Sequence, residues 1–312
     1  MKKVILGLGL GLWSWIGLGA LPLAEPILGQ PTLQVSKKAS LLGSLPRDWV
    51  TWNLQWFPGQ VPYAKAEPRK LHEEAVRATI GKIAPQVALL QEVVDANALE
   101  RVTPEYRWQA VSNFQRAKDE EVKLPPQNVA ILSRVPWQEV WEVDFHGLPI
   151  TPDRPVRGFL GALFVDKNGN RLTAYVVHLK SNRGGRDASS VRRERAIDYL
   201  RWDWRRRGLD PQKEVMLLAG DFNCSLRNPD FTEDTIRKLL QEGWKVAEEK
   251  VPWPAVATVK PDSAGRYAVA DFDHILLSPG WVKKYGAGKM EVGVWRNGEV
   301  PSDHFPLEMR LR

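Results

Sequence analysis

From residue 50 onward, hydrophobic and polar positions follow two alternating periods. Residues 50–56 alternate β-branched or aromatic side chains with polar ones, which predicts a strand that ends before Pro58. Residues 68–83 carry apolar side chains at helical spacing, so we expect a helix there. Residues 87–94 are almost fully apolar, as in a central strand that is covered on both faces.

The same alternation of strands and helices continues toward the end of the chain. Further strands are predicted at residues 128–132, 161–165, 172–179, 215–219 and 272–277. An Asn-Gly turn at residues 168–169 predicts a hairpin between the second and third of these. Helical spacing recurs at residues 191–207, where Ser190 would be the N-cap, and at residues 232–240. No repeat or low-complexity linker divides residues 50–312, so we expect a single α/β domain.

Ionisable or amide side chains stand at the ends of several predicted strands. They are Glu92, His178, Asp221, Asn223, Asp303 and His304. In open α/β sheets, binding sites form beyond strand ends, where loops converge on a rigid scaffold. Any one of these residues alone is more simply a solvated turn residue or a cap. Together, carboxylates, amides and histidines with almost no lysine predict a divalent-metal site with acid–base chemistry.

Composition and charge narrow the classes of function. The chain is 43% hydrophobic and 26% charged, which is ordinary for a globular protein and excludes a disordered one. Cys224 is the single cysteine, so an intramolecular disulfide and a cysteine-based zinc site are both excluded. We expect Cys224 to be a small buried residue rather than a reactive thiol. The formal charge of +7 favours an acidic partner such as nucleic acid or anionic lipid.

Residues 1–24 differ from the rest of the chain. Lys2 and Lys3 precede an apolar run over residues 4–23, which is the layout of a secretory signal peptide. The run has no good Ala-x-Ala cleavage site and is long enough to span a bilayer, so a retained N-terminal anchor is the alternative. Either interpretation predicts export to the periplasm or the medium, with membrane attachment only if the segment is uncleaved. Residues 25–46 lack periodicity and are predicted to be a linker or arm.

Seven motifs, in order, resemble the signature of the endonuclease/exonuclease/phosphatase superfamily. They are Thr-Trp-Asn53, Leu-Gln-Glu92, Ile-Leu-Ser-Arg134, Val-His178-Leu-Lys180-Ser181, Gly220-Asp221-Phe-Asn223, Phe-Asp273-His and Ser302-Asp303-His304. The series covers nearly the whole chain after the leader, which supports one catalytic domain over residues 47–312. The resemblance implies a deoxyribonuclease I-like fold, a four-layered α/β sandwich of two packed mixed β-sheets flanked by helices. The wording around His178 is most similar to that of extracellular bacterial nuclease-like members.

The resemblance also implies a metal site. Glu92 would be the principal ligand of Mg²⁺, with Mn²⁺ or Ca²⁺ as alternatives, and Asn53 would lie beside it. Asp303 would bind the metal or its water. Some members carry a second metal-binding acid two residues after Asn53, whereas this chain has Gln55. A one-metal site is therefore expected.

The remaining matched residues would supply the catalytic groups. The resemblance implies that Asp221 orients or deprotonates the attacking water and that Asn223 donates to a non-bridging phosphate oxygen. His178 would be the general acid for the leaving oxygen, and His304, paired with Asp273, would act on the scissile phosphate as base or electrostatic stabiliser. This set is chemically sufficient, because in-line attack needs an activated water, charge neutralisation and a proton for the leaving group.

A basic segment follows the His178 strand. Residues 183–207 contain nine arginines against four acidic residues. Its first part would contact a polyanion's phosphates, because arginine forks suit phosphate oxygens. The candidate substrate-binding residues there are Lys180, Ser181, Asn182, Arg183 and Arg186. A solvated helix face stabilised by ion pairs is the alternative.

These observations predict a metal-dependent phosphodiester hydrolase. The first interpretation is an exported nuclease that cleaves DNA and possibly RNA, because the basic loop and basic charge suit a polyanion. A sphingomyelinase-like phospholipid hydrolase or an inositol-phosphate hydrolase is the alternative, since the shared chemistry does not depend on what the phosphate carries. A catalytically inactive binding module is disfavoured, because every matched acid, amide and histidine is present. We expect a monomer.

Overall fold

A computed structural model describes residues 23–35, 43–114, 124–261, 269–286 and 289–312. Only the last two residues of the predicted leader, residues 1–24, belong to these ranges. None of the helices in the described ranges has the length and apolar character needed to cross a bilayer.

The described residues form fourteen strands and five α-helices. The first seven strands are β1 (Ile27–Gly29), β2 (Thr32–Val35), β3 (Asp48–Phe57), β4 (Val87–Val93), β5 (Trp108–Val111), β6 (Asn128–Ser133) and β7 (Glu139–Asp144). The other seven are β8 (Phe159–Val165), β9 (Arg171–His178), β10 (Met216–Asp221), β11 (Lys245–Val246), β12 (Asp273–Leu277), β13 (Met290–Val294) and β14 (Leu307–Leu311). The helices are α1 (Ala66–Ile83), α2 (Ala96–Val102), α3 (Arg186–Arg206), α4 (Asp234–Gln241) and α5 (Pro279–Tyr285).

The strands form two mixed sheets of seven. The strand order is β1-β7-β8-β9-β10-β12-β11 in the first sheet and β13-β14-β3-β4-β6-β5-β2 in the second. Each sheet contains a parallel pair near its centre, β9 with β10 and β3 with β4. Parallel strands end at the same edge of a sheet, so each pair brings two strand ends together there.

Alternate side chains of the central strands fill three apolar layers. Leu89 of β4 and Leu217 of β10 pack between the two sheets. Their neighbours face the opposite way, because side chains alternate along a strand. Leu218 packs with α3 and α4, and Leu90 packs with α1 and α2. This arrangement is the four-layered α/β sandwich that the family resemblance implies, and it explains why β4 and β10 are apolar on both faces.

Most predicted elements are confirmed, but the long basic helix begins elsewhere. Helix α3 starts at Arg186, and its N-cap is Gly185 rather than Ser190, which lies inside the helix. Gly184 and Gly185 have positive φ angles of 95° and 107°, a conformation that L side chains rarely adopt, and they turn the chain into the helix. The prediction also missed α2, α5, β5, β7 and β13. Each is only four to seven residues long, too short for a periodic pattern to stand out.

Residues 25–46, predicted to be a linker or arm, contain two short strands. β1 pairs antiparallel with β7 at the edge of the first sheet. β2 pairs antiparallel with β5 at the edge of the second. The segment is thus an arm that joins both sheets, and its strands of three and four residues are too short to show alternation.

Gly220 sets the approach of β10 to β9 one residue before Asp221. It lies opposite Val177 in the parallel ladder and has a φ of 145°. A Cβ atom at this position would lie 1.9 Å from the Val177 carbonyl oxygen. Only glycine therefore allows the two strands to pair where their ends enter the site.

We predict that Gly220→Ala lowers the free energy of unfolding by about 2–3 kcal/mol, because the methyl group meets backbone and the φ angle is strained. Gly293→Ala in β13 is the control, since no atom lies within 4 Å of its Cβ position. Urea unfolding measures both. Equal midpoints for the two variants would contradict this account of Gly220.

Candidate active site

The strand ends bring the candidate residues from both sheets together. Asn53 and Glu92 come from the parallel strands β3 and β4, while His178 and Asp221 are the last residues of β9 and β10. His178 and Asp221 are direct ladder partners. Asp273 opens β12 and pairs with Asp221 from the other side.

Asn53 links the carboxylates of the two sheets. Its Nδ2 donates to Glu92 Oε1 at 3.3 Å and to Asp221 Oδ2 at 3.0 Å. Its Oδ1 accepts a hydrogen bond from the Gln55 main-chain nitrogen at 2.9 Å. Asn53 therefore lies beside Glu92, the residue predicted to bind a metal, and its amide orientation is fixed from both ends.

Glu92 lies where the ladder is irregular. Its φ is 60°, and the register of β4 shifts here against both β3 and β6. Its Oε2 accepts a hydrogen bond from the Trp56 main-chain nitrogen at 3.0 Å. Burial raises the pKa of Glu92, whereas the charge of Arg157 lowers it. Backbone irregularity of this kind re-aims a side chain out of a sheet, and it is common at functional sites.

His178 is buried between two carboxylates. Its Nε2 lies 3.7 Å from Glu92 Oε1 and 3.6 Å from Asp221 Oδ2. Its Nδ1 has no hydrogen-bond partner among the described residues. Burial lowers the pKa of His178 well below its ordinary value, and the charge of Arg157 adds to this. The imidazole is therefore neutral and presents a single N–H donor, and it must take up a proton before it can act as the predicted general acid.

His304 has the opposite charge state. Its Nδ1 lies 2.7 Å from Asp273 Oδ2, and its Nε2 lies 3.9 Å from Asp221 Oδ2. Burial alone would lower the pKa of His304, but the Asp273 and Asp221 carboxylates outweigh it and hold the pKa well above its ordinary value. An imidazolium in this position stabilises negative charge on a phosphate.

Asp221 lies between the two histidines and has the properties of a base. Burial raises the pKa of Asp221 to about 7, although the charge of His304 opposes the shift. Its Oδ1 accepts a hydrogen bond from the Asn223 main-chain nitrogen at 2.8 Å. A carboxylate that gains a proton near neutral pH suits the activation of a water molecule, the role predicted for Asp221.

Arg157 is a site residue that the sequence analysis missed. Its Nη1 donates to the Leu179 carbonyl oxygen at 3.2 Å, and Asn223 Nδ2 donates to the same oxygen at 3.1 Å. The guanidinium and the amide predicted to contact phosphate are thus neighbours. Arg157 precedes β8 in a segment without a recognisable motif, so the sequence contains no signal for its position.

The charges at the site fit a divalent cation. Glu92, Asp221, Asp273 and Asp303 face the cationic side chains of His304 and Arg157, which leaves a net charge of −2 when all are ionised. Among the residues that the structure describes, no three His, Cys, Asp or Glu side chains form a ligand cluster. The carboxylates of Glu92 and Asp303 could hold a hard divalent cation that takes its other ligands from water and substrate oxygens.

Asp303 and Gln55 connect two loops at this site. Asp303 is exposed, and its main-chain nitrogen donates to Gln55 Oε1 at 3.0 Å. Ser302 Oγ donates to the Asn53 carbonyl oxygen at 2.6 Å and accepts from the His304 main-chain nitrogen at 3.0 Å. Gln55, which stands where some relatives have an acid, therefore orders the loop that carries Asp303 and His304.

The candidate substrate-binding loop contacts the site at its first residues. Asn182 Nδ2 donates to the Asn223 carbonyl oxygen at 3.2 Å. Lys180 Nζ donates to the Ser181 carbonyl oxygen at 2.8 Å, and burial and Arg157 lower the pKa of Lys180 to about 8. Arg183 is exposed. Arg186 instead donates to the Thr232 carbonyl oxygen and is the first residue of α3.

Arg193 of α3 holds this loop and was also missed. It is 1% exposed, forms an ion pair with Glu233, and donates to the Lys180 carbonyl oxygen and to Asn182 Oδ1. Three other arginines of the helix, and Arg207 directly after it, form ion pairs with carboxylates. These pairs are Arg195–Asp153, Arg201–Glu242, Arg206–Asp203 and Arg207–Glu139. Much of the basic charge of this helix is thus paired with carboxylates, and the loop before it is the part that adjoins the site.

A second buried histidine–carboxylate pair is hydrogen-bonded to the backbone next to Asn223. His274 Nδ1 lies 2.7 Å from Glu248 Oε1, and its Nε2 lies 3.1 Å from the Cys224 carbonyl oxygen. Burial alone would lower the pKa of His274, but Glu248 outweighs it and raises the pKa. Cys224 is a buried free thiol, as expected. The pair fixes the backbone directly after Asn223.

Comparison with known proteins identifies the family. Residues 50–304 match the sequence profile of the Endonuclease/Exonuclease/phosphatase family. The chain belongs to this family. Its members are hydrolases that act on phosphoester bonds. A search of curated proteins found no match.

Solved structures share the fold at low identity. An endonuclease/exonuclease/phosphatase from Beutenbergia cavernae DSM 12333 is 17% identical with a TM-score of 0.58, over 85% of this chain and 71% of that one. Truncated Caenorhabditis elegans TDP2 is 17% identical with a TM-score of 0.57, over 87% and 98%. The Bacteroides thetaiotaomicron VPI-5482 mannosyl-6-phosphatase Bt3783 is 15% identical with a TM-score of 0.55, over 85% and 99%.

We predict that two buried histidines differ in charge in the metal-free protein. His304 should stay protonated above pH 6.5, because its pKa is raised by carboxylates. His72 of α1 should stay neutral at pH 6, because burial lowers its pKa to about 4 and its Nδ1 accepts a hydrogen bond from the Gly59 nitrogen. Imidazole ¹⁵N chemical shifts, assigned with His304→Gln and His72→Gln, measure both. A neutral His304 at pH 6.5 or a charged His72 at pH 6 would refute the corresponding assignment.

Proposed function

We propose that this family member is a metal-dependent phosphodiester hydrolase that cleaves nucleic acid, DNA and possibly RNA. The observation that carries the proposal is the arrangement around Asp221. A neutral histidine and a cationic histidine lie within 4 Å of one carboxylate whose pKa is near 7. Groups with such divergent protonation states are what acid–base hydrolysis requires.

Each residue has a distinct task in this mechanism. Asp221 orients the attacking water and accepts its proton. The His304 imidazolium, Asn223 and Arg157 donate to the non-bridging oxygens as charge develops on them. His178 first takes up a proton from solvent, and as an imidazolium it then donates a proton from Nε2 to the leaving oxygen as general acid. A divalent cation held by Glu92 and by Asp303, directly or through water, would neutralise the phosphate and acidify bound water.

The basic loop supports a polyanionic substrate. Asn182 is hydrogen-bonded to the Asn223 carbonyl oxygen, and Lys180 lies two residues before Asn182 in the same loop. Arg183 follows Asn182 and is exposed. The net charge of +7 favours the same class of partner. A phospholipid headgroup or an inositol phosphate would use the catalytic groups equally well, so these are the competing outcomes of the substrate test.

We further propose that the protein is exported and monomeric. The support for export is the sequence of residues 1–24, in which two lysines precede the apolar run. Retention of this run would attach the enzyme to a membrane. Fractionation of an expressing bacterial host tests the proposal, and full-length protein in the cytoplasm would contradict it.

We predict that Glu92→Gln abolishes turnover, because loss of the carboxylate removes the principal metal ligand. The variant and wild type are assayed with plasmid DNA, RNA, sphingomyelin and soluble inositol phosphates, each with Mg²⁺ or EDTA. Glu74→Gln on the exposed face of α1 is the matched control, and it should retain full activity. Full wild-type activity in excess EDTA would rule out metal dependence. Hydrolysis of only the lipid or the inositol phosphates would reject the nuclease.

We predict that Arg183→Ala flattens the salt dependence of duplex binding by about 0.9 in the slope of log affinity against log salt, because one phosphate contact is lost. Binding is measured with the Glu92→Gln protein to suppress cleavage. Arg186→Ala should leave the slope unchanged, since Arg186 bonds to the Thr232 carbonyl. An unchanged slope in Arg183→Ala would remove this residue from the substrate interface.

A further inference from the structure

An aromatic and cationic surface next to His304 takes no part in the mechanism above. It consists of Trp253, Lys260, Arg296 and Phe305, and we call it the Trp253 surface. Trp253 is 44% exposed, and no other tryptophan in the described ranges is exposed. A large indole left in water is a feature of binding surfaces rather than of a core.

Two cations from different segments lie over the Phe305 ring. The Arg296 guanidinium carbon is 4.2 Å from the ring centroid, and Lys260 Nζ is 4.9 Å from it. Arg296 Nη2 also donates to the carbonyl oxygens of Ala255 and Ala257, which follow Trp253 in the same turn. These contacts hold the guanidinium against the segment that carries Trp253, so the cation and the exposed indole belong to one preorganised part of the surface.

The Trp253 surface is connected directly to the catalytic residues. Phe305 follows His304, and its main-chain nitrogen donates to the Thr258 carbonyl oxygen at 2.7 Å. Thr258 Oγ1 accepts a hydrogen bond from the Asp273 nitrogen at 3.1 Å. Because β10 lies between β9 and β12 in the sheet, this surface and the Lys180 loop lie on opposite sides of Asp221.

The charges of this surface single out Arg296 as the group available to an anion. Glu299 and Asp303 face Lys260 and compensate part of its charge. Arg296 forms no ion pair with a carboxylate among the residues that the structure describes, and its acceptors there are carbonyl oxygens. Burial lowers the pKa of Arg296, which indicates a partly desolvated guanidinium. Such a group interacts strongly with a phosphate.

We propose that the Trp253 surface is a second subsite for single-stranded nucleic acid, where a base stacks on Trp253 and an adjacent phosphate binds Arg296. This inference rests on the proposed nuclease function and extends it. The bases of a duplex are stacked on one another, so only a single strand offers a free base face to the indole. With the Lys180 loop on the other side of Asp221, the strand would extend in both directions from the scissile phosphate.

The test compares a long and a short phosphodiester. Trp253→Ala and Arg296→Ala are assayed with Mg²⁺ on a single-stranded oligothymidylate and on bis(p-nitrophenyl) phosphate, which has neither a base nor a second phosphate. We expect each variant to lower the ratio of kcat/KM for the oligonucleotide to that for the small diester by about tenfold, the scale of one base–aromatic contact. Trp253→Phe, which keeps an aromatic face, should recover most of the loss. Arg205→Ala, an exposed arginine near the end of α3, is the control and should change neither substrate.

Salt dependence separates the two contacts. Arg296→Ala should flatten the log–log salt slope of oligothymidylate binding by about 0.7, and Trp253→Ala should weaken binding without changing the slope. An unchanged ratio, or equal losses on both substrates, would overturn the subsite. Wild type that hydrolyses the small diester but no nucleic acid would instead reject the nuclease function on which the subsite rests.

Discussion

The hydrogen bond from Asn53 Nδ2 to Asp221 Oδ2 joins the two sheets at their catalytic edge. Asn53 belongs to β3 in one sheet and Asp221 to β10 in the other, and the bond is 3.0 Å long. The same Nδ2 reaches Glu92, so one amide sets the separation between the Glu92 and Asp221 carboxylates. Ser302 binds the carbonyl oxygen of Asn53 and thereby ties the His304 loop to the same point. The relative position of the sheets therefore determines the geometry of the whole site.

The two histidines of the site show how environment divides chemical roles. Both are buried, and burial disfavours the imidazolium in each. His304 has a carboxylate at its Nδ1, whereas the Nδ1 of His178 has no partner among the described residues. The hydrogen-bonded Asp273 carboxylate, together with Asp221, thus holds His304 as a cation, whereas burial leaves His178 neutral.

The sequence is most informative where local pattern and geometry coincide. Polar residues such as Glu92 and His178 end apolar strands, and sites in α/β folds form beyond strand ends, so pattern alone marks these residues as site candidates. Contacts between distant segments leave no such trace. Arg193 follows the polar pattern of an exposed helix face, yet it is buried against Glu233, which lies forty residues later. Arg157 and the turn of Trp253 owe their positions to packing of irregular segments, which periodicity does not encode.

The N-terminal arm has a consequence beyond the site. β1 covers the outer side of β7, and β2 covers the outer side of β5, so one short segment closes an edge of each sheet. Without it, β5 and β7 would present rows of unpaired backbone N–H and C=O groups, which are templates for strand pairing between molecules. β1 itself offers only three residues for such pairing. The arm thus acts against aggregation, a task quite separate from hydrolysis.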